Sequence, residues 1–134
     1  MVHCHGWMTS LVPAYIKTTY KNDPTFKNSK VVYSVYENCF GVKLNADFHK
    51  KAIMNHMTAD DTQAFADGDC NSLHIGAITH SDAVVFADEK VDDAVLKFVK
   101  DSNKPSLAFN LTENYDNFYA FYEEVTSDEM VSIA

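Results

Sequence analysis

The chain has 134 residues, enough for one domain with a buried core but too few for a barrel of eight β/α units. Its formal net charge is −8 and its basic residues are not clustered, which argues against a nucleic-acid-binding or anionic-membrane-binding surface. We expect no membrane span, because no segment approaches the ~20 apolar residues that one requires. Small molecules and other proteins remain as partners.

The cysteines give no sign of a cross-linked or metal-stabilised fold. Cys4, Cys39 and Cys70 are odd in number and far apart, without a CxxC spacing. We therefore expect neither a disulfide framework nor a zinc knuckle. The absence of a secretory signal pattern also favours a reducing, cytoplasmic location.

The first two predicted elements are a strand and a helix. Residues 2–5 form a short apolar run that predicts a strand. From Thr9 or Ser10 to Tyr20 the apolar residues share one helical face, a hydroxyl can cap the start, and Pro13 falls early enough to be tolerated.

The middle of the chain has one strong signal and several weak ones. Residues 30–36 are apolar enough for a parallel strand buried on both faces. Asp47 is placed to cap a helix that follows it, whereas residues 59–71 are predicted as a loop.

The last part of the chain continues the alternation. Helices are predicted over residues 72–80 and 91–101, strands over 82–87 and 106–109. A final helix carries an aromatic stripe, with Thr112 placed to cap it and Glu113 in its first turn. Strands that alternate with helices predict an α/β fold, a three-layer α/β/α arrangement around a short parallel sheet.

Polar side chains at the ends of the first two strands are the candidate site. Ligands of open α/β sheets bind at the carboxyl ends of the strands. His3 and His5 point to one face of the first strand, and His5 is nearer its exit, so His5 is the catalytic candidate. Tyr36 and Glu37 end the second strand and are substrate-binding candidates beside it.

The segment Val2-His3-Cys4-His5-Gly6-Trp7-Met8-Thr9, with the helix and strand after it, resembles the middle of the N-terminal domain of bacterial glycogen and starch synthases. The stretch at residues 75–86 is similar to that family's helix and strand before the interdomain region. The resemblance implies a Rossmann-like part of a B-type glycosyltransferase fold, with residues 1–134 covering the later half of one domain. It also implies transfer of glucose from ADP-glucose to an α-1,4-glucan with retention of configuration, without a cofactor.

The family's motif His-Ala-His-Asp-Trp-His places individual residues. Its second histidine lines the donor-sugar pocket and corresponds to His5, while His3 and Trp7 also match. His3 and Trp7 are therefore substrate-binding candidates, although an inner strand histidine more often serves the core, and an aromatic at a pocket rim more often serves packing. Gly6 and Met8 depart from the motif, which removes two polar groups from the implied pocket.

A second departure follows the second strand, where the family's Thr-Ile-His-Asn is replaced by Ser34-Val35-Tyr36-Glu37. The family's Lys-x-Gly-Gly loop and the basic clamp of its second domain have no counterpart here. Because a departing diphosphate needs cationic groups, we expect the chain alone not to transfer glucose. A partial domain exposes apolar surface, so self-association is expected.

Two alternatives start from the same residues. His3 and His5 resemble the paired histidines of metal-dependent hydrolases, with Glu37, Asp88 or His80 as a possible third ligand. A non-catalytic glucan-binding or regulatory module is the other alternative. The remaining histidines lack i,i+4 pairing with a carboxylate or another histidine and are predicted to be solvated or structural: His49, His56, His74 and His80.

Overall fold

Four short parallel strands organise the chain. The computed structural model describes residues 1–111 and 115–131. The strands lie side by side in chain order, and all three pairings are parallel. They are β1 (Val2–His5), β2 (Val31–Val35), β3 (Ala83–Phe86) and β4 (Ser106–Leu107).

Helices occupy the connections between the strands. Single 3₁₀ turns occur at Trp7–Thr9 and Gln63–Phe65. The α-helices are α1 (Val12–Lys17), α2 (Phe48–Lys51), α3 (Ala59–Thr62), α4 (Cys70–Thr79), α5 (Asp93–Ser102) and α6 (Tyr115–Val131). No described helix is both long and apolar enough to cross a membrane.

The central strand β2 shows how the core is divided. All five of its residues are buried, and their side chains alternate between the two faces of the sheet. Tyr33 and its face-mates pack against residues of α1, α4 and α5, whereas Val32 packs against residues of α6. The α/β/α layering is therefore confirmed, with three helices on one face and the aromatic α6 on the other.

The first predicted helix is shorter than expected. The chain turns at Gly6 in the left-handed region (φ 74°), and a 3₁₀ turn precedes α1. The Thr9 hydroxyl donates to the Gly6 carbonyl instead of capping a helix. At the other end the Thr18 hydroxyl donates to the Ala14 carbonyl. A local side-chain hydrogen bond therefore lies just outside each end of the helix.

The predicted loop at residues 59–71 is wrong. It contains α3, the second 3₁₀ turn and the first two residues of α4. Thr58 and Asp61 form a reciprocal capping box at the start of α3. The Asp69 side chain accepts the backbone N–H of Ser72 at the start of α4. These caps supply the helix starts that hydrophobic periodicity does not show.

Other predicted boundaries shift by smaller amounts. Asp47 precedes α2, but its carboxylate contacts Lys50 instead of capping, and the helix has only four residues. Strand β4 ends at Leu107, two residues earlier than predicted. The predicted caps Thr112 and Glu113 lie outside the described residues.

The expectation of no disulfide is wrong. Cys39 and Cys70 form a disulfide across 31 residues, and Cys4 is a buried free cysteine. The segment after β2 folds back over the start of α4, which brings the two sulfur atoms together. Such long-range contact depends on the packing of the connection and leaves no mark in cysteine spacing.

Candidate functional site

His5 and Tyr36 meet at the carboxyl edge of the sheet. The register of β1 and β2 pairs His5 with Ser34. Tyr36 is two residues further along, directly after the last residue of β2, and so lies beside His5. The His5 Nδ1 and Tyr36 hydroxyl are hydrogen-bonded at 2.9 Å. Both side chains are near the turn at Gly6, where an added Cβ would lie 3.7 Å from the Tyr36 ring.

His3 supports His5 from below. The two imidazole rings stack with centroids 4.0 Å apart. The Nε2 of His3 is hydrogen-bonded to the Ser34 hydroxyl at 2.7 Å, and its Nδ1 to the Tyr122 hydroxyl at 2.6 Å. Burial, and then the charge of His5, lowers the pKa of His3 to about 4, so His3 is neutral near pH 7. These contacts hold the His3 ring in place beside His5.

The two histidines line an open aromatic groove of about 420 Å³. Its other walls come from α6: Tyr115, Phe118, Tyr119 and Tyr122. The side of α6 that packs on the sheet buries Phe121 and Val125, with Phe118 and Tyr122 partly buried beside them, so only part of the aromatic stripe belongs to the core. Tyr115 and Tyr119 are instead exposed to 77% and 66%, so their rings remain free to contact a ligand.

Glu37 lies on a second cavity of about 510 Å³, which Tyr36 also lines. The backbone N–H of Glu37 donates to the Asp88 carboxylate, which ties the end of β2 to the segment after β3. This contact holds the Glu37 backbone at the cavity rim. Trp7 is half-buried and packs edge-on against Phe40, with ring centroids 4.7 Å apart, so its observed contact is packing.

The proposed metal site of His3 and His5 finds no third ligand among the residues that the structure describes. His80 follows α4 and lies near the start of β3, at the amino ends of the strands, whereas His5 lies at their carboxyl ends. Asp88 accepts the Glu37 backbone N–H. Across residues 1–111 and 115–131, the cluster with three suitable ligand atoms contains Cys39, Cys70 and His74 instead.

His74 is the residue that sequence reasoning missed. Its side chain is 2% exposed, and its Nδ1 is hydrogen-bonded to the Tyr33 hydroxyl at 2.8 Å. Burial lowers the pKa of His74 to about 4, against the opposing effect of a hydrogen bond with the Tyr36 backbone. The sequence feature that indicates a cluster here is the i,i+4 spacing of Cys70 and His74. That spacing has this meaning only on a helix, and Cys70 was predicted to lie in a loop.

The state of His3 makes stability depend on pH. Its pKa is about 4 in the folded chain and about 6.5 when unfolded, so the unfolded state binds a proton first as the pH falls. The stabilising contribution is complete above pH ~6.5 and is lost progressively toward pH ~4. We expect urea unfolding at pH 7 and pH 5 to show a smaller difference in His3→Gln than in the unsubstituted chain. An equal difference in both proteins would contradict this prediction.

A parallel sheet that gathers polar side chains at its carboxyl edge is the ligand-binding arrangement of Rossmann-like α/β domains. A family model described as the starch synthase catalytic domain matches residues 1–101. The chain belongs to this family. No solved structure matches the chain.

Curated relatives agree with the family match. The glycogen synthase of Clostridium perfringens is 28% identical over 94 residues, which cover 66% of this chain and 18% of that protein. The glycogen synthase of Pelodictyon phaeoclathratiforme is 23% identical over an alignment that covers the whole chain and 26% of that protein. That of Pseudothermotoga lettingae is 44% identical over 36 residues, 27% of this chain and 7% of that protein. The chain thus spans about a quarter or less of the length of these relatives.

Proposed function

We propose that this chain supplies part of the sugar-binding half of a glucosyltransferase that transfers glucose from ADP-glucose to an α-1,4-glucan. The hydrogen bond between His5 and Tyr36, at the carboxyl ends of adjacent parallel strands, is the observation that carries the proposal. Ligands bind at this edge in α/β folds. Membership of the starch synthase catalytic domain family supports the reaction class. In this proposal, residues 1–134 are one partial Rossmann-like domain.

The proposed roles follow from the contacts of each side chain. His5 is exposed and offers its imidazole to a sugar hydroxyl, while Tyr36 and the neutral His3 hold its orientation. The exposed rings of Tyr115 and Tyr119 provide apolar faces on which glucose units can stack. Glu37 and Trp7 are proposed to contact the sugar only at the rim of the site. The observed contact of Glu37 is made by its backbone, and that of Trp7 is packing against Phe40.

The same residues lack what the leaving group requires. Transfer from ADP-glucose releases a diphosphate, whose developing charge needs positioned cations or aligned backbone amides. The aromatic groove is lined by histidine, tyrosine and phenylalanine, and the chain's 11 basic residues are all lysines, so no arginine is available for a bidentate clamp. We therefore propose that the chain alone does not catalyse transfer and that a second domain completes the site.

A transfer assay tests whether the chain alone is inactive, and a binding titration tests the role of His5. The purified chain is incubated with labelled ADP-glucose and glycogen, and we expect no label in the polymer; robust incorporation would contradict the proposed incompleteness. In parallel, maltooligosaccharide and ADP-glucose are titrated separately while backbone amide NMR signals are recorded. We expect shifts at residues 3–7 and 36–37, and an affinity at least about tenfold lower in His5→Ala.

The matched control is His56→Asn, which changes a histidine outside the site at a positive φ that asparagine tolerates. Equal affinities of His5→Ala and this control would contradict the proposed role of His5. Binding of the glucan but not of ADP-glucose would favour the alternative, a non-catalytic glucan-binding module.

Two further proposals concern the environment of the chain. Within the described residues β1 pairs with β2 alone, which leaves backbone groups at one sheet edge unpaired, and we propose that this edge promotes self-association. We also propose a cytoplasmic location. Disulfides in that compartment are usually transient, so there the bond between Cys39 and Cys70 would be reversibly reduced.

A further inference from the structure

We propose that, when the disulfide is reduced, Cys39, Cys70 and His74 bind one zinc ion in the wall of the 510 Å³ cavity. One ligand atom from each residue lies within 4.8 Å of the other two. The Nε2 of His74 is 3.3 Å from the Cys70 sulfur and 3.7 Å from the Cys39 sulfur. The proposal does not rest on glucose transfer, because none of its three ligands is a proposed sugar-contacting residue, although Tyr36 and Glu37 line the same cavity.

The helix α4 sets two of the three ligands. Cys70 is its first residue and His74 follows one turn later, so both side chains lie on the same face. Cys39 completes the cluster from the segment after β2. The three ligands therefore come from two elements that already pack together.

The hydrogen bonding of His74 has the form found around zinc. Its Nδ1 is hydrogen-bonded to the buried Tyr33 hydroxyl at 2.8 Å, which leaves Nε2 directed at the two sulfur atoms. Metal-binding histidines commonly donate their other ring N–H to an oxygen acceptor, which fixes the tautomer and the ring orientation, and the Tyr33 hydroxyl oxygen is placed to accept it. Tyr33 is thus a positioning residue for the proposed ligand.

The choice of metal follows from the ligand chemistry and from access. Two thiolates and one imidazole suit zinc, which binds four ligands tetrahedrally. All three residues line the cavity, so a water molecule can take the fourth position. The cavity is also lined by three carboxylates and one ammonium group, a balance of charge that favours a divalent cation nearby: Glu37, Asp69, Asp92 and Lys90.

The disulfide and the zinc site are two states of the same sulfur atoms. Zinc binding to the dithiol displaces two protons, one from each thiol. A low-molecular-weight disulfide such as oxidised glutathione then takes two electrons from the two thiolates, so that the Cys39–Cys70 bond forms and Zn²⁺ is released. The oxidant takes up two protons and becomes two thiols. The structure has the oxidised state.

The test measures zinc in the purified chain. The protein is reduced with a phosphine, incubated with zinc chloride and desalted, and its metal is quantified by mass spectrometry. We expect about one zinc per chain, and about one cobalt with sulfur-to-cobalt charge-transfer absorption when Co²⁺ replaces zinc. Oxidised glutathione should release the metal. Substoichiometric zinc, or zinc retained after the disulfide re-forms, would overturn the proposal.

Substitutions test which residues bind the zinc ion. Cys39→Ser changes an exposed cysteine and His74→Gln an imidazole, and we expect each to abolish stoichiometric zinc binding. Tyr33→Phe should weaken binding about tenfold, as loss of a partner to a ligand does. Cys4→Ser is the control for loss of a thiol, since Cys4 is a buried free cysteine that pairs with Tyr33 in the sheet but supplies no ligand atom to the cluster. Circular dichroism establishes that each variant folds; zinc retained by folded Cys39→Ser would refute the assignment.

Discussion

Gly76→Ala is expected to lower the free energy of unfolding by about 2 kcal/mol. A Cβ at this position of α4 would lie 2.4 Å from a ring carbon of Phe65, and the Phe65 side chain is fully buried. Overpacking of this kind costs about 1–3 kcal/mol or more, which exceeds the ~1 kcal/mol that alanine gains over glycine in a helix. Urea unfolding at equilibrium measures the difference.

The control for this prediction is Gly41→Ala, at a glycine where an added Cβ would meet no atom within 4 Å. We expect it to change the free energy of unfolding by less than about 0.5 kcal/mol. If the ring of Phe65 causes the loss, the double variant Gly76→Ala/Phe65→Leu should be more stable than the sum of the single effects predicts. If Gly76→Ala is as stable as the unsubstituted chain, the prediction is wrong, and the Phe65 ring moves away from α4 without a cost in free energy.

Lys104→Met is the second large expected effect, a loss of about 2 kcal/mol in the free energy of unfolding. The half-buried ammonium of Lys104 donates to the carbonyl groups of Ile78, Thr79 and Ser81 at 2.6, 3.0 and 2.7 Å. These carbonyls lie at and just beyond the end of α4, where the helix has unpaired acceptors and a negative dipole end. Methionine keeps an apolar stem of similar length but removes every donor.

Lys100→Met is the matched control, because Lys100 is exposed in the last turn of α5. We expect its effect on unfolding to be within about 0.5 kcal/mol. Both variants are compared by urea unfolding at pH 7. Equal stabilities of the two variants would mean that water replaces the ammonium at the carbonyl groups without cost.

These two positions could not be identified from the sequence because each depends on a contact between distant elements. Gly76 reads as a weak point in a helix until Phe65 is placed against it. Lys104 reads as a helix-breaking loop residue until β4 brings it beside the end of α4. Periodicity describes how a segment presents its faces, but it does not say which groups of another segment they meet.

The candidate site was more accessible to sequence reasoning. A parallel sheet places the carboxyl ends of its strands together, so His5 and Tyr36 could be expected at one edge once two strands were predicted. The structure brings them to 2.9 Å. His3, expected on the same face as His5, stacks on it. Alternation along a single strand decides which of its side chains share a face, and that information is local to the sequence.

The sequence by itself determined the α/β class, the order of the four strands, and the strand-end position of His5. The buried strand β2 was predicted within one residue at each end, because a short run rich in valine and bounded by polar residues is typical of a parallel strand buried on both faces. Only the tertiary structure decided the pairing of Cys39 with Cys70 and the place of His74 beside them. Those contacts arise where an irregular connection folds back on a helix start, and the path of such a connection is set by packing across the whole domain.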